Sequence, residues 1–247
     1  MTDPAPLDPL ARLRTLTQAR VGLGRCGTGL PTRPMLDFQL AHARARDAVH
    51  QPFDAAAMSK ALAPQQTLLV RSRAADRLEY LRRPDLGRRM DPLDAELCRA
   101  GPYDLAIVVA DGLSATAVHR HAPPLVNAIC ERLDGWSIAP IVLARLGRVA
   151  LGDEVGERFG AGLVAVLIGE RPGLSAPDSL GVYLTWAPRV GCNDSQRNCI
   201  SNVRQGGLSY DDAAGRLVWL MNGARRLRMT GVGLKDGFDP QAALPGA

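Results

Sequence analysis

The chain has 247 residues, of which 46% are apolar and only 4% aromatic, and this composition is typical of a soluble globular protein with one or, as we favour, two domains. The longest uncharged apolar run, 160–169, has about half of the roughly 18 residues that a membrane-spanning helix requires, so we expect no membrane span. The net charge of +5 comes from 30 basic residues interleaved with 25 acidic ones, and this pattern favours a solvated or interface surface over a nucleic-acid site.

The first 100 residues are predicted to be mainly helical. The predicted helices span 9–20, 33–49 and 75–82, and a candidate strand spans 67–70. A glycine-rich turn at 22–29 separates the first two helices, because glycine runs do not remain helical. Leu36 and Leu40 lie near one face of the second helix, as expected for an amphipathic segment.

The pattern changes near Gly101, where short continuous apolar runs begin to alternate with helical periods. Predicted strands span 104–109, 138–143, 163–168 and 182–186, and predicted helices span 114–133, 153–159 and 210–229. Strands that are buried on both faces and alternate with helices indicate βαβ units. We therefore predict an α/β protein with an N-terminal mainly helical region, 1–100, and a C-terminal Rossmann-like domain, 101–247, whose sheet is largely parallel.

The five cysteines, at positions 26, 98, 130, 192 and 199, contain no C-x-x-C pair and have no nearby histidine partner. This argues against a disulfide scaffold and against structural zinc. The spacing of Cys192 and Cys199 alone would permit a bridge. The first 20 residues contain no apolar stretch, so we expect no secretory signal, a cytosolic protein and free thiols.

Several motif matches are weak. Residues 22–27 match G-x-G-x-x-G literally, but a polar helical segment precedes them where a dinucleotide site needs a buried strand. The sequence has neither a phosphate-binding P-loop nor a G-x-S-x-G nucleophile elbow. His119 and His121 point to opposite sides of a helix, so we interpret them, with His42 and His50, as structural or surface residues.

The carboxyl edge of the predicted sheet is the favoured place for a ligand, because strand ends, glycine turns and helix N-termini converge there. Asp111, Val149 and Glu170 each follow one of three successive strands. A carboxylate such as Glu170 can accept strong hydrogen bonds from the amide groups of a ligand. The alternative is that Glu170 pairs with Arg171 or caps a local turn. Residues 193–207 are interpreted as a long polar functional loop.

Segments distributed in order over nearly the whole chain resemble the small (light) subunit of ethanolamine ammonia-lyase. The segments that carry the resemblance are ARVGLGRCG, LDFQLAHARARDAVH, YLRRPDLGRR, VVADGLSA, GRVALGDEVGE, LIGERPGLSAPDSLGVYLTWAPR, RNCISNVRQGGLSY and GVGLKD. The most specific of these signatures is GERPGL, followed about thirty residues later by NCISN.

This resemblance implies a hetero-oligomer in which the small subunit docks on a large TIM-barrel subunit that binds ethanolamine. The cofactor it implies is adenosylcobalamin, with the corrin ring between the two subunits and a radical conversion of ethanolamine to acetaldehyde and ammonia. The family's cobalamin contacts map onto Val149, Glu170 and Cys199. No catalytic residue and no metal ligand are implied on this chain. Because D-x-H-x-x-G is absent, we expect cobalt to keep the cofactor's own dimethylbenzimidazole.

The resemblance implies a location in a bacterial microcompartment, or in the cytoplasm because only about twenty residues precede ARVGLG. Two other interpretations remain open at this stage. The first is an independent Rossmann-like enzyme that binds a nucleotide or S-adenosylmethionine at the turn of Asp111. The second is an arginine-rich binding module without enzymatic activity, whose nucleic-acid affinity would depend steeply on salt.

Overall fold

The protein is described by a computed structural model over residues 9–17 and 19–239. Over these residues one six-stranded sheet is formed, with the spatial order β1-β3-β2-β4-β5-β6. Its strands are β1 (Thr67–Arg71), β2 (Leu105–Ala110), β3 (Ile141–Arg145), β4 (Leu163–Gly169), β5 (Leu180–Trp186) and β6 (Arg197–Val203). The first four strands in this order pair in parallel, whereas β5 and β6 pair antiparallel. The predicted α/β class with a largely parallel sheet is confirmed.

The helices of the described chain are α1 (Ala11–Leu16), α2 (Thr32–His50), α3 (Ala55–Ala61), α4 (Arg77–Arg82), α5 (Pro92–Ala95), α6 (Ala115–Cys130), α7 (Leu151–Phe159) and α8 (Tyr210–Leu227). The helix predicted at 9–20 is confirmed only in its centre, and its residue 18 lies outside the described residues. Ser114 and Ser209 start α6 and α8, because each side chain accepts a backbone N–H of the first turn. No helix of residues 9–17 and 19–239 is long and apolar enough to cross a membrane.

The sheet is covered on both faces, so its central strands are buried throughout. Along β2, Leu105, Ile107 and Val109 join the apolar layer formed with α3, α6 and α8. The alternate residues of β2 join a second layer on the opposite face, together with α7. Every residue of β2 and of β4 is buried, as the continuous apolar runs predicted.

The strand β1 joins the two parts of the chain that the sequence separates at residue 100. Its residues pair with β3 in register from Thr67 with Ile141 to Arg71 with Arg145. The division at residue 100 and the Rossmann-like description stay predictions. Residues 1–8 and 240–247 of these two predicted regions lie outside the described chain.

The prediction of a loop at 193–207 is wrong over 197–203, which form β6. Ile200 and Val203 are buried against the neighbouring strand, while Ser201 and Asn202 face outward. The polar residues concealed the strand because only one face of β6 contributes to the core. Arg197 is also buried, since Asp153 of α7 pairs with its guanidinium at 2.5 Å.

Residues 9–50, which contain α1 and α2 and which we term the arm, differ from the rest of the molecule in burial. Among their described residues only Ala48 is buried. α2 is 19 residues long and remains exposed along most of its length. The five cysteines of the chain are free, as predicted.

Candidate functional site

A cavity of about 410 Å³ lies at the carboxyl edge of the sheet, where the sequence predicts a ligand site. Its lining comes mainly from the segments that follow β2, β3 and β4. The lining residues are Tyr80, Gly112, Leu113, Arg148, Val149, Ile168, Gly169, Glu170, Arg171 and Tyr183. The cavity thus brings together two of the predicted site residues, Val149 and Glu170.

Two glycines allow the turns after β2 and β4 to touch. Gly112 has a φ of +54°, a left-handed conformation that disfavours other residues. A side chain on Gly169 would overlap the carbonyl oxygen of Ser114 and approach that of Asp111 to 2.6 Å. The Leu113 N–H donates to the Gly169 carbonyl at 2.9 Å. The floor of the cavity is therefore backbone of fixed shape.

Asp111 lies buried beneath this floor, with only 2% of its surface exposed. Arg77 approaches its carboxylate to 3.3 Å and also donates to the Gly112 carbonyl at 2.7 Å. Burial raises the pKa of Asp111 to about 6, although Arg77 and the Gly147 N–H oppose this rise. The Asp111 carboxylate supports the turn and does not line the cavity.

Arg148 is held on one side of the cavity by Tyr80. Its guanidinium carbon lies 4.4 Å from the centre of the Tyr80 ring, and its Nη2 donates to the Tyr80 carbonyl at 3.2 Å. The Tyr80 hydroxyl donates to the Gly147 carbonyl at 3.1 Å. The Nε atom of Arg148 is buried and has no hydrogen-bond partner within the described chain. An unsatisfied buried donor costs about 1–3 kcal/mol.

Glu170 has one carboxylate oxygen bound within the chain and one directed to no described donor. Its Oε2 accepts a hydrogen bond from the Ser179 hydroxyl and a longer one, at 3.4 Å, from the Asn202 N–H. Its Oε1 fits because Gly181 has no side chain, and a Cβ there would lie 2.9 Å from it. Arg171 forms no ion pair with Glu170, so the alternative pairing considered from the sequence is not observed.

Cys199 does not line the cavity but adjoins it through Tyr183. The two residues are directly paired across β5 and β6, so their side chains are neighbours on one face of the sheet. Desolvation raises the pKa of the Tyr183 hydroxyl and that of the Cys199 thiol. Both groups are therefore neutral near pH 7, and Cys199 contacts the wall of the cavity through Tyr183.

The histidines of α6 take structural roles, as predicted. His119 accepts the Asp54 N–H on Nε2 at 3.0 Å, and His121 is buried with Nδ1 2.8 Å from the Tyr210 hydroxyl. Neither residue lines the cavity. In the part of the chain that is described, no three His, Cys, Asp or Glu side chains are placed to hold a metal ion.

The chemistry available at this site is binding. The lining offers a carboxylate acceptor, two arginines, two tyrosines, apolar groups and backbone, and it contains no serine, cysteine or histidine. A nucleophile with an adjacent base is thus missing from the lining residues. The glycine triplet at 22–27 follows α1 and no strand, which confirms the reason for rejecting a dinucleotide site there.

The similarity of this chain to known proteins identifies its family. A model of the ethanolamine ammonia-lyase light chain (EutC) family matches residues 7–235. The chain belongs to this family. It is 56% identical to the ethanolamine ammonia-lyase small subunit of Pseudomonas aeruginosa, over 98% of this chain and 92% of that protein. It is 58% identical to the small subunit of Ralstonia nicotianae, over 93% of this chain and 88% of that protein. The chain is accordingly a lyase subunit.

Three residues of the site were missed by sequence reasoning. Tyr183 lies on a predicted strand and alternates with the buried Val182 and Leu184, and this alternation could have indicated that its side chain faces away from their layer. Ser179 directly precedes β5, and Tyr80 lies on a helix far away in sequence. No local pattern points to either residue, because both reach the site through tertiary contacts.

Proposed function

We propose that this chain forms one wall of the adenosylcobalamin site of an ethanolamine ammonia-lyase, and that a large subunit provides the opposite wall and binds ethanolamine. The observation that carries the proposal is the cavity at the carboxyl edge of the sheet, which Val149 and Glu170 both line. Membership of the family supplies the reaction, and the open cavity supplies a place for the cofactor.

The residues present suit a corrin. The ring carries amide side chains, which offer both N–H donors and carbonyl acceptors. Glu170 Oε1 can accept an amide N–H, and its charge strengthens such a bond. The Arg148 guanidinium could donate to an amide carbonyl, and Val149 and Tyr183 would offer apolar surface to the cofactor. Cys199 would act next to them through its cross-strand neighbour Tyr183.

When bound, adenosylcobalamin supplies the radical chemistry that converts ethanolamine to acetaldehyde and ammonia. The role of this chain is to bind and to orient. Ser179 and Asn202 hold one oxygen of Glu170, which fixes the carboxylate and leaves its Oε1 for a donor of the ligand. The backbone of Gly112 and Gly169 would give the cofactor a surface of fixed shape.

The test is to produce the chain together with an ethanolamine ammonia-lyase large subunit and to assay ethanolamine turnover with and without adenosylcobalamin. We expect turnover only when both subunits and the cofactor are present. Turnover or cofactor binding by this chain alone, with a nucleotide or S-adenosylmethionine, would instead favour the independent-enzyme interpretation. A complex that is inactive with cobalamin would overturn the proposal.

The role of Glu170 is tested by Glu170→Ala in the assembled complex. We expect the dissociation constant for hydroxocobalamin to rise by about 5-fold to 150-fold, which corresponds to the roughly 1–3 kcal/mol of a charge-assisted hydrogen bond. Glu96→Ala is the matched control, because that carboxylate is exposed and does not line the cavity. An unchanged constant for Glu170→Ala would remove this residue from the site.

A further inference from the structure

The arm exposes apolar side chains that a folded chain ordinarily buries. On α2, Leu36 is 58% exposed, Leu40 is 50% exposed, and Met35 and Phe38 each exceed a third. Three further leucines of the arm are also exposed, at positions 13, 16 and 30. Concentrated apolar exposure of this kind marks a surface for another macromolecule.

The helix α2 gains little stability from its own chain. Among its nineteen residues only Ala48 is buried. Isolated helices are marginal in water, because most helical stability comes from the packing of an apolar face. A partner that covers Leu36 and Leu40, which share one face four residues apart, would supply this missing packing.

The arm also carries a charge that selects the partner. Residues 9–50 contain seven arginines, no lysine and only two acids, Asp37 and Asp47, so their net charge of +5 equals that of the entire chain. All seven arginines are exposed. Protein interfaces are enriched in arginine, methionine and aromatic residues and depleted in lysine. This composition favours an acidic protein surface with apolar pockets over a membrane or nucleic acid.

The arm leaves the body next to the candidate site. Gln51, directly after α2, accepts a hydrogen bond from the Thr116 hydroxyl at 3.1 Å. Thr116 lies in the first turn of α6, three residues after Leu113 of the cavity lining. The end of α2 also borders Pro177, two residues before the Ser179 that holds Glu170. The end of the arm and the cavity therefore lie on the same side of the molecule, and one partner protein could contact both.

We infer that the arm is the docking element by which this chain binds the large subunit of ethanolamine ammonia-lyase, through an acidic surface with apolar pockets on that subunit. This inference rests on the proposed function, which supplies the large subunit as the partner. Leu36 and Leu40 enter the apolar pockets, and Arg33, Arg44 and Arg46 face the acidic surface.

The test measures binding of the full chain to the purified large subunit. We expect Leu36→Glu/Leu40→Glu to raise the dissociation constant about 100-fold or more, because two buried leucines are lost and two acids face an acidic surface. The matched control is Leu93→Glu/Leu97→Glu, which changes two exposed leucines outside the arm, and its constant stays within about twofold of wild type. The thermal midpoint of each isolated variant, within about 2 °C of wild type, shows that it folds.

A second variant tests the charge. Arg33→Gln/Arg44→Gln/Arg46→Gln is expected to weaken binding and to flatten its dependence on salt, since screening acts on exposed charges. Three outcomes overturn the inference: binding of Leu36→Glu/Leu40→Glu at wild-type affinity, self-association of the isolated chain that these changes abolish, or loss only of DNA or anionic-vesicle binding. If the wild-type chain never binds a large subunit, the proposed function itself fails. If wild type assembles and turns over while the arm variant binds equally well, only the docking inference fails.

Discussion

The arm and the sheet use apolar residues in opposite ways. Each residue of β2 is buried between two layers, whereas residues 9–50 bury only Ala48 within the described chain. Apolar burial contributes about 25 cal/mol per Å², so the sheet supports the fold and the exposed arm contributes little to it. The comparison teaches that stability and assembly reside in different segments, and the predictions below test this separation.

The largest effect is expected for Arg197→Met. Arg197 pairs with Asp153 through two bonds of 2.5 and 2.7 Å, and both side chains are almost fully buried. Removing the arginine leaves a buried carboxylate without its partner. We expect the free energy of unfolding, measured by urea titration, to fall by about 3–5 kcal/mol. Arg83→Met is the control, because its pair with Asp85 is exposed, and we expect no measurable change. Equal midpoints for the two variants would contradict the prediction.

A matched pair of leucine substitutions compares the two regions directly. Leu143→Ala opens a cavity beside β2 and is expected to lower the unfolding free energy by about 2–5 kcal/mol. Leu36→Ala on the arm is expected to change it by less than about 0.5 kcal/mol, because the side chain is already 58% exposed. Thermal or urea unfolding of the isolated chain measures both values. A comparable loss for Leu36→Ala would show that the arm packs on the body.

The third prediction concerns pH. Because the pKa of Asp111 is raised to about 6 in the folded protein, above the roughly 3.9 of an unfolded chain, the folded state holds this proton more tightly. Its contribution to stability is complete below about pH 4 and is lost as the pH rises to 6, with a total of about 2–3 kcal/mol. Asp111→Asn should remove this part of the pH dependence when unfolding is followed between pH 4 and 7. If the free energy of unfolding depended on pH in the same way for wild type and Asp111→Asn, the prediction would be wrong.

The smallest effect is expected at the junction of the arm and the body. Asp54 caps α3, since its carboxylate accepts the Ala57 N–H at 2.9 Å. Loss of such a cap costs about 1 kcal/mol, so Asp54→Ala should lower the midpoint of urea unfolding slightly. Asp37→Ala on the arm changes an exposed aspartate and should leave it unchanged. An equal shift of the urea midpoint for Asp54→Ala and Asp37→Ala would contradict the prediction that only the cap of α3 stabilises the fold.

The sequence predicts the parts of this fold that depend on local apolar pattern. The runs that form β2 and β4 are recognised because both faces of these strands are buried. β6 escaped prediction because its buried Arg197 pairs with Asp153, which is distant in the sequence. α3 and α5 are too short to show a helical period.

The candidate site was predictable to a similar extent. The carboxyl edge of the sheet follows from strand order, so the meeting of Val149 and Glu170 at one cavity could be expected. The resemblance contributed Cys199, whose place beside Tyr183 depends on the antiparallel pairing of β5 with β6. The Ser179 bond to Glu170 had no sequence signal, because a tertiary contact alone creates it.

The edge position of β1 has a consequence for how the chain is made. β1 leaves the ribosome before its partner β3, and β2 and α6 are synthesised between them. Until β3 emerges, the backbone of Thr67–Arg71 has no strand to pair with, and a nascent chain halted at that stage presents an open edge to its neighbours. Non-local pairing of this kind is also slow to form. Completion of the sheet therefore waits for translation of the second half of the chain.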